Sequence, residues 1–364
     1  MPTFDIIKKS NPKTSFRIQK IKDMFDLKEN QIIERFKGEI KIPVKWSIGV
    51  IVGNSGTGKT TIAKELFKKA YITNFIYKAQ AVIDDMPDVD ISLITKTFNS
   101  VGFSSVPSWL KPYNVLSNGE KMRVDIARSI LEKNKLIVFD EFTSVVDRNI
   151  AKISSFAIQK AIRKTEKQFI AVGCHYDIID WLLPDWIFDT NTMTFQLFEG
   201  QKKNRPEIKS EIRCIKDVSE KEKVWRELGK YHYLSHSYNK ASTPYVLYIN
   251  NELAGMIMIL HFPHPKFKNG KQGHRTTIKP DFQGIGLGNF MIDYVAKYLI
   301  KKGFRYFATT SSPAIIAYRK KRKEWKCTRI GRVPKYGKTG AFKKSKASSI
   351  NRITTSWEYI AKKK

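Results

Sequence analysis

Cysteine is scarce in this sequence, and its scarcity excludes two kinds of small, cross-linked fold. The three cysteines, Cys174, Cys214 and Cys327, lie far apart and form no Cys-x-x-Cys pair. We therefore expect neither a disulfide framework nor a structural zinc site. Three isolated thiols fit a reducing compartment, so we expect the protein to be cytoplasmic.

Long apolar runs are also missing. No stretch of about 18 apolar residues occurs, and no apolar segment follows the N-terminal Met1-Pro2-Thr3-Phe4-Asp5. We therefore expect neither secretion nor a membrane span, and no membrane partner. The chain has 364 residues, 41% hydrophobic and 27% charged, which is enough for two globular domains with separate cores.

Acidic residues are few relative to basic ones. The formal net charge is +32, because 66 Lys and Arg stand against 34 Asp and Glu. Residues 1–200 carry a net charge of +6, whereas residues 201–364 carry +26. Such a cationic half predicts a polyanionic partner, either DNA or RNA and less readily an acidic membrane surface. A merely solvated basic surface is the alternative.

The change in charge near residue 200 also predicts a domain boundary. Strand and helix patterns alternate up to residue 198 and include a helix-like stretch from Met24 to Phe36. We assign residues 1–198 to a first domain and residues 199–209, with their Gly, Asn and Pro, to a linker. Residues 210–364 form a second domain with a basic C-terminal extension.

A glycine-rich loop follows the apolar strand Trp46–Val52 and precedes a helix. It satisfies Gly-x-x-x-x-Gly-Lys-Ser/Thr, the pattern whose backbone N–H groups wrap nucleotide phosphates. Lys59 would neutralise the β- and γ-phosphates, and the Thr60 hydroxyl would bind Mg²⁺. The predicted ATP-binding residues are Gly53, Asn54, Ser55, Gly56, Thr57, Gly58, Lys59, Thr60 and Thr61.

A second apolar strand, Leu136–Phe139, ends in two carboxylates, Asp140 and Glu141. We expect Asp140 to hold the Mg²⁺ and Glu141 to orient or activate the attacking water. Taken without its context, this acidic pair can also be a capping feature.

The segments around these two motifs resemble the ATP-binding-cassette (ABC) family. Leu116–Glu120 resembles its signature motif, LSGGQ, and Ser117 precedes Asp140 by 23 residues, close to the family's spacing. Ser144–Asp147 resembles its D-loop, and His175 resembles its switch histidine.

The ABC resemblance implies that ATP binds between two copies of the chain. Ser117 and Gly119 of one copy would face the phosphate loop of the other, so hydrolysis requires a nucleotide-dependent homodimer with Glu141 and His175 as catalytic residues. Gln80 is the candidate for the family's Q-loop residue and a further Mg²⁺ ligand. Only 58 residues separate Lys59 from Ser117, fewer than in transporter cassettes. This favours a soluble ATPase that resembles the DNA-associated cassette proteins.

The second domain resembles the GNAT family of N-acetyltransferases. Gln283–Gly288 matches the family's pyrophosphate loop, Gln/Arg-x-x-Gly-x-Gly/Ala, whose backbone N–H groups hold coenzyme A. The resemblance implies acetyl-CoA, or another acyl-CoA, held at Gln283, Gly284, Gly286 and Gly288. The predicted elements follow the family's order, with strands at Pro244–Asn250, Ala254–Phe262 and His274–Lys279, then a helix at about 288–302, a strand at Arg305–Thr309 and a helix at about 313–323.

The GNAT resemblance also suggests catalytic groups. Tyr318 falls on the tyrosine that commonly protonates the departing thiolate, although the family's usual asparagine is missing from Ser312–Tyr318. The segment from Phe262 to Thr277 contains no carboxylate, so His274 and His264 are the candidate bases. An exocyclic amine of a nucleobase is neutral at pH 7 and needs no strong base, which favours a nucleobase acceptor over a lysine.

Along its whole length the chain resembles phage and prokaryotic proteins that join an ABC-type ATPase to a predicted acetyltransferase domain. The second domain loosely resembles phage DNA-modification enzymes of the Mom type. The expected fold class is α/β, a P-loop ATPase domain followed by an α+β GNAT-like domain. The leading hypothesis is an ATP-hydrolysing enzyme that acylates nucleobases in DNA. The alternatives are an ATP-dependent RNA acetyltransferase and a non-catalytic, ATP-driven DNA clamp.

Overall fold

The computed structural model describes residues 3–10, 15–26, 32–72, 75–198, 208–232, 237–331 and 353–360. Most of the predicted linker, residues 199–207, lies outside the described residues. The chain divides into two compact units, and each consists of two segments. Unit 1 is Met1–Ile76 with Arg128–Arg205, and unit 2 is Tyr77–Ala127 with Pro206–Lys364.

The elements of unit 1, numbered in chain order through the whole molecule, are β1 (Thr3–Ser10), α1 (Phe16–Phe25), β2 (Ile32–Glu39), β3 (Ile48–Val52), α2 (Lys59–Leu66), β4 (Leu136–Phe139), α6 (Arg148–Ile162), β5 (Gln168–Gly173), α7 (Ile178–Leu182), β6 (Trp186–Asp189) and β7 (Thr194–Leu197). Five of the strands form one sheet in the order β4-β5-β3-β6-β7. The first four of these run parallel, and β7 is antiparallel to β6. Every residue of β3 is buried, as expected for a central strand of a parallel sheet.

The helix expected from Met24 to Phe36 is wrong. Helix α1 ends at Phe25, and β2 pairs antiparallel with β1 over its full length, from Thr3↔Glu39 to Ser10↔Ile32. Phe36 is buried in the core of unit 1, with Phe4 and Phe188 in the same cluster. The strand forms because β1 supplies its hydrogen bonds from a distant part of the chain, and a local pattern does not show that partner.

The elements of unit 2 are α3 (Ile91–Ser100), α4 (Val106–Trp109), α5 (Asn118–Leu131, whose last four residues belong to unit 1), β8 (Ser210–Cys214), α8 (Val218–Leu228), β9 (Thr243–Ile249), β10 (Glu252–His261), β11 (Gly270–Ile278), α9 (Leu287–Lys301), β12 (Arg305–Thr310), α10 (Pro313–Lys320), β13 (Trp325–Ile330) and β14 (Thr355–Tyr359). Short 3-10 turns lie at Val82–Asp85, Tyr113–Val115, Gly229–Tyr231 and Pro280–Phe282.

A seven-stranded sheet in the order β13-β14-β12-β11-β10-β9-β8 is the centre of unit 2. Neighbouring strands are antiparallel except β11 and β12, which are parallel. The parallel pairing begins at Gly270↔Arg305 and ends at Gly273↔Ala308. Beyond it β11 continues to Ile278 without β12, so the two strands part in the middle of the sheet. The order of strands and helices predicted for the second domain is confirmed.

Helices of unit 2 pack on this sheet through apolar faces. Val224, Trp225 and Leu228 of α8 form one core cluster with residues of β9 and β10. Helix α9 buries a stripe at helical spacing, namely Met291, Ile292, Val295, Ala296 and Leu299. Among the described residues, none of the helices is both long and apolar enough to cross a membrane.

Candidate active sites for ATP and acyl-CoA

The phosphate loop of unit 1 joins the buried strand β3 to helix α2. Gly56 and Gly58 adopt φ angles of 84° and 85°, a conformation that favours glycine, and Gly58 caps the helix. Lys59 is 9% exposed, and its Nζ donates a hydrogen bond of 2.6 Å to the carbonyl oxygen of Asn54. The loop therefore presents a helix N-terminus and a held ammonium group, which is the chemistry that binds phosphate.

Two residues after β6 support this loop from within unit 1. The hydroxyls of Thr57 and Thr190 are 2.6 Å apart, and the Asn54 N–H donates to Asn191 Oδ1 at 3.0 Å. A Cβ on Gly53 would lie 2.1 Å from the Thr190 hydroxyl, so only glycine fits at the start of the loop. Sequence reasoning missed Thr190 and Asn191, because they lie far from the motif in the chain.

The two predicted Mg²⁺ ligands of unit 1 are in direct contact. The Thr60 hydroxyl donates a 2.7 Å hydrogen bond to Asp140 Oδ2. The same carboxylate accepts from the Tyr71 hydroxyl and, at 2.9 Å, from the Glu141 N–H. A hydroxyl and a carboxylate side by side are the hard oxygen donors that Mg²⁺ prefers, so the residues fit the metal. Gln80, the other proposed ligand, is an exposed residue of unit 2.

Tyr71 is a further residue that the motifs did not indicate. Burial, and then its hydrogen bond to Asp140, raises the pKa of the Tyr71 phenol above its ordinary value. The phenol therefore stays protonated and donates to the carboxylate at neutral pH. Tyr71 reaches the site through a single parallel bridge to Val138 of β4, a tertiary contact with no local sequence signal.

The catalytic candidates of unit 1 follow neighbouring parallel strands. Val52 of β3 pairs with Gly173 of β5, and Phe139 of β4 pairs with Ala171 of β5. The phosphate loop, the acidic pair and the half-buried His175 therefore all leave the same edge of the sheet, where ligands of open α/β sheets bind.

The turn after Asp140 has unusual backbone angles. Glu141 is exposed with φ 52°, and buried Thr143 has φ 63°, which is rare for a β-branched residue. Asp147 caps α6, and the Arg148 Nε donates to Asp177 at 3.0 Å. Backbone angles of this kind cluster at functional sites.

The signature-like segment of unit 2 forms the first turn of α5. Ser117 and Glu120 make a capping box, since the Ser117 N–H donates to Glu120 Oε2 at 3.0 Å and the Glu120 N–H donates to Ser117 Oγ at 3.3 Å. Ser108 Oγ donates to the other carboxylate oxygen at 2.8 Å. Ser117 is exposed, whereas Gly119 is buried, so of these two predicted nucleotide-binding residues only the serine is accessible in a single copy.

The predicted acyl-CoA loop of unit 2, which contains Gln283, Gly284 and Gly286, links β11 to α9, beside the place where β11 and β12 part. Gly284 and Gly286 have φ angles of 90° and 93°, and Gly286 caps α9. A Cβ on Gly286 would meet nothing within 4 Å, and one on Gly288 would come no closer than 3.7 Å to Ile278. The loop is thus open on its outer side, and its N–H groups can receive a pyrophosphate.

Gln283, at the start of this loop, has protein partners at both ends of its amide. Its Oε1 accepts from the Ser104 N–H and its Nε2 donates to the Ile278 carbonyl, both at 2.9 Å. Arg123 of α5 lies 3.4 Å from Asp281, with the arginine side chain 2% exposed and the carboxylate 37% exposed. The acyl-CoA loop is therefore in contact with the helical segment that carries the signature-like motif, a contact that the sequence did not predict.

Tyr318 lies on α10 and donates a 2.6 Å hydrogen bond to Asp293 Oδ2. Asp293 also accepts from the Trp325 indole N–H at 3.0 Å. Burial, and then the bond to Asp293, raises the pKa of Tyr318 to about 12. The phenol is therefore protonated at neutral pH, as a general acid for a thiolate must be. Asp293 is another residue that sequence reasoning missed.

His274 lies on β11 and is half-buried. Burial, and then the neighbouring Arg275, lowers the pKa of His274 to about 4, so the imidazole is neutral at pH 7. Its Nε2 accepts from the Asn239 N–H at 3.4 Å. Such an imidazole is a weak base. His264 stacks on Phe267 with ring centroids 4.2 Å apart, so the two histidines have different environments.

Family comparisons agree with this division of the chemistry. Residues 50–184 match the model of the ATPase family associated with various cellular activities (AAA), and residues 207–322 match the model of the acetyltransferase (GNAT) family. These matches confirm the predicted fold class, a P-loop ATPase domain followed by a GNAT-like domain, and they support an ATPase and an N-acyltransferase activity. ATP with Mg²⁺ and an acyl-CoA follow as their cofactors.

Individual relatives cover only parts of the chain. The [NU+] prion formation protein 1 of Saccharomyces cerevisiae is 26% identical over 161 residues, which are 44% of this chain and 13% of that protein. Among solved structures, RNase-L Inhibitor is 26% identical, and the matched region covers 43% of this chain and 34% of that chain, with a TM-score of 0.35. A dimeric bacterial ABC transporter cassette is 16% identical and covers 50% and 94%, with a TM-score of 0.35. A Bacillus subtilis acetyltransferase in complex with CoA is 15% identical and covers 42% and 99%, with a TM-score of 0.32.

Proposed function

We propose that this protein is an ATP-driven N-acyltransferase that modifies nucleobases of nucleic acid in the cytoplasm, DNA in preference to RNA. The activities of the ATPase and the acyltransferase would be coupled. The observation that carries this proposal is the contact between α5, which bears the signature-like motif, and the acyl-CoA loop. That contact would make acyl-CoA binding depend on the nucleotide state.

Arg123 and Asp281 form the charged part of this contact. Burial lowers the pKa of the Arg123 guanidinium, and the Asp281 carboxylate opposes that effect, so the carboxylate stabilises the buried cation. Close packing accompanies this ion pair, because a Cβ on Gly102 would lie 2.9 Å from the Gln283 carbonyl oxygen. A movement of α5 would therefore be transmitted directly to the loop that holds the pyrophosphate.

ATP would be held in unit 1 by Lys59, Thr60 and Asp140, with Glu141 orienting the water and His175 beside it. Mg²⁺, when bound, neutralises negative charge on the phosphates. Ser117 and Gly119 of a second copy would complete the site, which makes the active ATPase a homodimer. Closure of that dimer is the event that would move α5.

The acyl step needs little base chemistry from the protein. The amine nitrogen of the acceptor would form a bond to the acyl carbon as the carbon–sulfur bond breaks, and Tyr318 would give its proton to the leaving thiolate. The acylated nitrogen would lose its proton to water, and the Tyr318 phenolate would regain a proton from solvent. His274 has a pKa of about 4 and is a poor match for a protonated lysine acceptor. It suits an exocyclic amine that is neutral already, and the net charge of +26 on residues 201–364 suits a polyanion.

Nucleoside mass spectrometry tests the proposed substrate. DNA and RNA would be digested from cells that express the protein, its Lys59→Ala variant or its Tyr318→Phe variant. We expect an acylated nucleoside in DNA that is absent with either variant. The same nucleoside in RNA alone would instead support the RNA acetyltransferase, and no new nucleoside in either pool would overturn the proposal.

Acetyl-CoA titration tests the coupling. We expect ATP to change the Kd of acetyl-CoA in the parent protein and to leave it unchanged in Asp281→Asn. Because a lone buried arginine is destabilising, the double variant Arg123→Met/Asp281→Asn separates coupling from stability. Asp84→Asn, at an exposed aspartate of the same unit, is the control. An ATP effect that survives in the double variant would contradict a route through this contact.

A second candidate function is the non-catalytic DNA clamp. One observation favours it, namely that the Tyr318 hydroxyl and both ends of the Gln283 amide already have protein partners. A clamp would bind DNA in an ATP-dependent way but would not bind acetyl-CoA. Calorimetry with acetyl-CoA therefore distinguishes it from the acyltransferase.

A further inference from the structure

Unit 2 contains a pocket of about 450 Å³ whose lining includes the candidate base His264 but no residue of the predicted ATP-binding or acyl-CoA loops. Its walls come from the segment between β10 and β11 and from strands β11 to β14. The volume lies in the range of sites for small organic ligands. We call it the stacking pocket, after the flat side chains in its wall.

Three aromatic rings lie in parallel or near-parallel layers there, and a guanidinium lies over one of them. The His264 and Phe267 rings are 4.2 Å apart with planes 8° from parallel, and Phe267 and Phe307 are 5.3 Å apart at 12°. The Arg305 guanidinium carbon is 4.1 Å from the centre of the Phe267 ring. Flat aromatic and guanidinium groups are the surfaces on which unstacked bases are held in single-stranded nucleic acid.

The charges around the stacking pocket favour an anion. Arg305 is paired with Glu358, the carboxylate in its lining, through a 2.8 Å hydrogen bond from Nε. Lys266 and Arg329, both exposed, add two further cations. A base that enters such a pocket would bring a flanking phosphate within reach of these cations.

The pocket also reaches the point where the central strands part. Ala308 is the last residue of β12 that pairs with β11, and Thr309 is the first beyond that pairing. Both residues line the pocket. The acyl-CoA loop follows β11 on the side where the strands have separated, so a ligand of the pocket would lie toward the acyl group.

We propose that the stacking pocket binds one unstacked nucleobase and its flanking phosphate from a single-stranded segment, and that it is the acceptor site of the acyltransferase. The proposal rests on the proposed nucleic-acid substrate and names the form in which it is bound. A base from a duplex would have to leave its stack before it enters. An acidic peptide is the competing ligand, and it would use the cations without the layered rings.

A fluorescent oligonucleotide tests this inference directly. A short single-stranded DNA with one 2-aminopurine would be titrated with the full-length protein, since stacking quenches that base. Phe267→Leu removes a ring but keeps apolar volume, and Arg329→Gln removes one exposed cation. Lys297→Gln removes one exposed cation from α9, outside the pocket, and serves as the matched control.

We expect strong quenching with the parent protein and the control. Phe267→Leu should weaken binding by roughly tenfold and abolish most of the quenching. Arg329→Gln should keep the quenching and lower the slope of log Kd against log salt by about one. Retained acetyl-CoA binding would show that the variants are folded.

Two other outcomes have different meanings. If the parent protein binds and quenches the strand but Phe267→Leu and Arg329→Gln behave like the control, the stacking pocket is not the site and this inference is overturned. If the parent protein binds no nucleic acid, the proposed nucleic-acid substrate fails as well. It also fails if a poly-glutamate peptide displaces the strand and binds Phe267→Leu as tightly as it binds the parent protein.

Discussion

Individual glycines show how tightly the phosphate loop is determined. Gly56 and Gly58 have nearly the same φ angle, yet a Cβ on Gly56 would meet nothing within 4 Å, whereas one on Gly58 would lie 2.5 Å from the Phe36 ring. Strand β2, which pairs with β1, thus supports the loop through one aromatic side chain. That contact makes two similar motif glycines unequal.

We predict that Gly58→Ala destabilises unit 1 more than Gly56→Ala does. Both variants bear a left-handed backbone cost of about 1–2 kcal/mol, but only Gly58→Ala also displaces the Phe36 ring. Urea denaturation of the two variants measures the difference. Equal losses of unfolding free energy would show that the Phe36 ring can move aside without a further loss of stability.

His274 makes a prediction about pH. Its pKa is lowered to about 4 in the folded protein from an ordinary value of about 6.5. Between these values the unfolded chain binds a proton that the folded chain does not, so stability is fully present above pH 6.5 and falls as the pH drops toward 4.

His274→Gln should therefore lose less unfolding free energy than the parent protein when the pH is lowered from about 7 to about 4.5. His261→Gln, at an exposed histidine at the end of β10, should follow the parent curve. Denaturant titrations at both pH values measure this. Identical losses in all three proteins would mean that His274 titrates normally.

Among the secondary-structure elements, α5 connects the two chemistries. Its first turn carries the signature-like Ser117 and Gly119, and its next turn carries the buried Arg123 that reaches Asp281. In the proposed arrangement, one helix would have an end that faces the nucleotide of a second copy and a side that faces the acyl-CoA loop. The position of its first turn depends on the capping box of Ser117 and Glu120.

Removal of that capping box should weaken α5. Glu120→Ala eliminates the bonds from the Ser117 N–H and the Ser108 hydroxyl, and we expect a loss of about 1 kcal/mol in unfolding free energy together with slower ATP hydrolysis. Lys96→Ala, at an exposed position of α3, should change stability by less than about 0.5 kcal/mol. An unchanged rate of ATP hydrolysis in Glu120→Ala would show that hydrolysis does not depend on the capping box.

For the whole molecule, the ATPase as proposed is incomplete in one copy. We predict that Glu141→Gln, which should bind ATP without hydrolysing it, forms a homodimer with ATP and Mg²⁺ and is monomeric without them. Sedimentation measures the change in mass. The double variant Lys59→Ala/Glu141→Gln should remain monomeric, and an ATP-independent dimer would contradict the proposed arrangement.

Much of the candidate chemistry was predictable because it is local. Gly53–Thr61 follows a strand and begins a helix, Asp140 and Glu141 end a buried strand, and Gln283–Gly288 begins α9. Each of these motifs depends on consecutive residues and on one turn of backbone. The succession of strands and helices along the chain from residue 244 to residue 323 was predictable for the same reason, since alternation and turn residues mark each strand.

The helix expected from Met24 to Phe36 failed where a distant partner decides the structure. Residues 32–39 became a strand because residues 3–10 pair with them and because Phe36 enters the core of unit 1. Tyr71, Asp293 and the contact of Arg123 with Asp281 were likewise invisible in the sequence. Each acts through a partner that is close in space and far away in the chain.

The sequence by itself determined the two kinds of candidate chemistry, nucleotide binding and acyl transfer, since phosphate loops, acidic strand ends and glycine-rich helix starts consist of short runs of consecutive residues. It also determined the concentration of positive charge in the second half. Only the tertiary structure decided which side chains meet, because burial and hydrogen bonding are properties of neighbours in space. It brought Tyr71 to Asp140, placed Arg123 beside the acyl-CoA loop and layered Phe267 against Phe307.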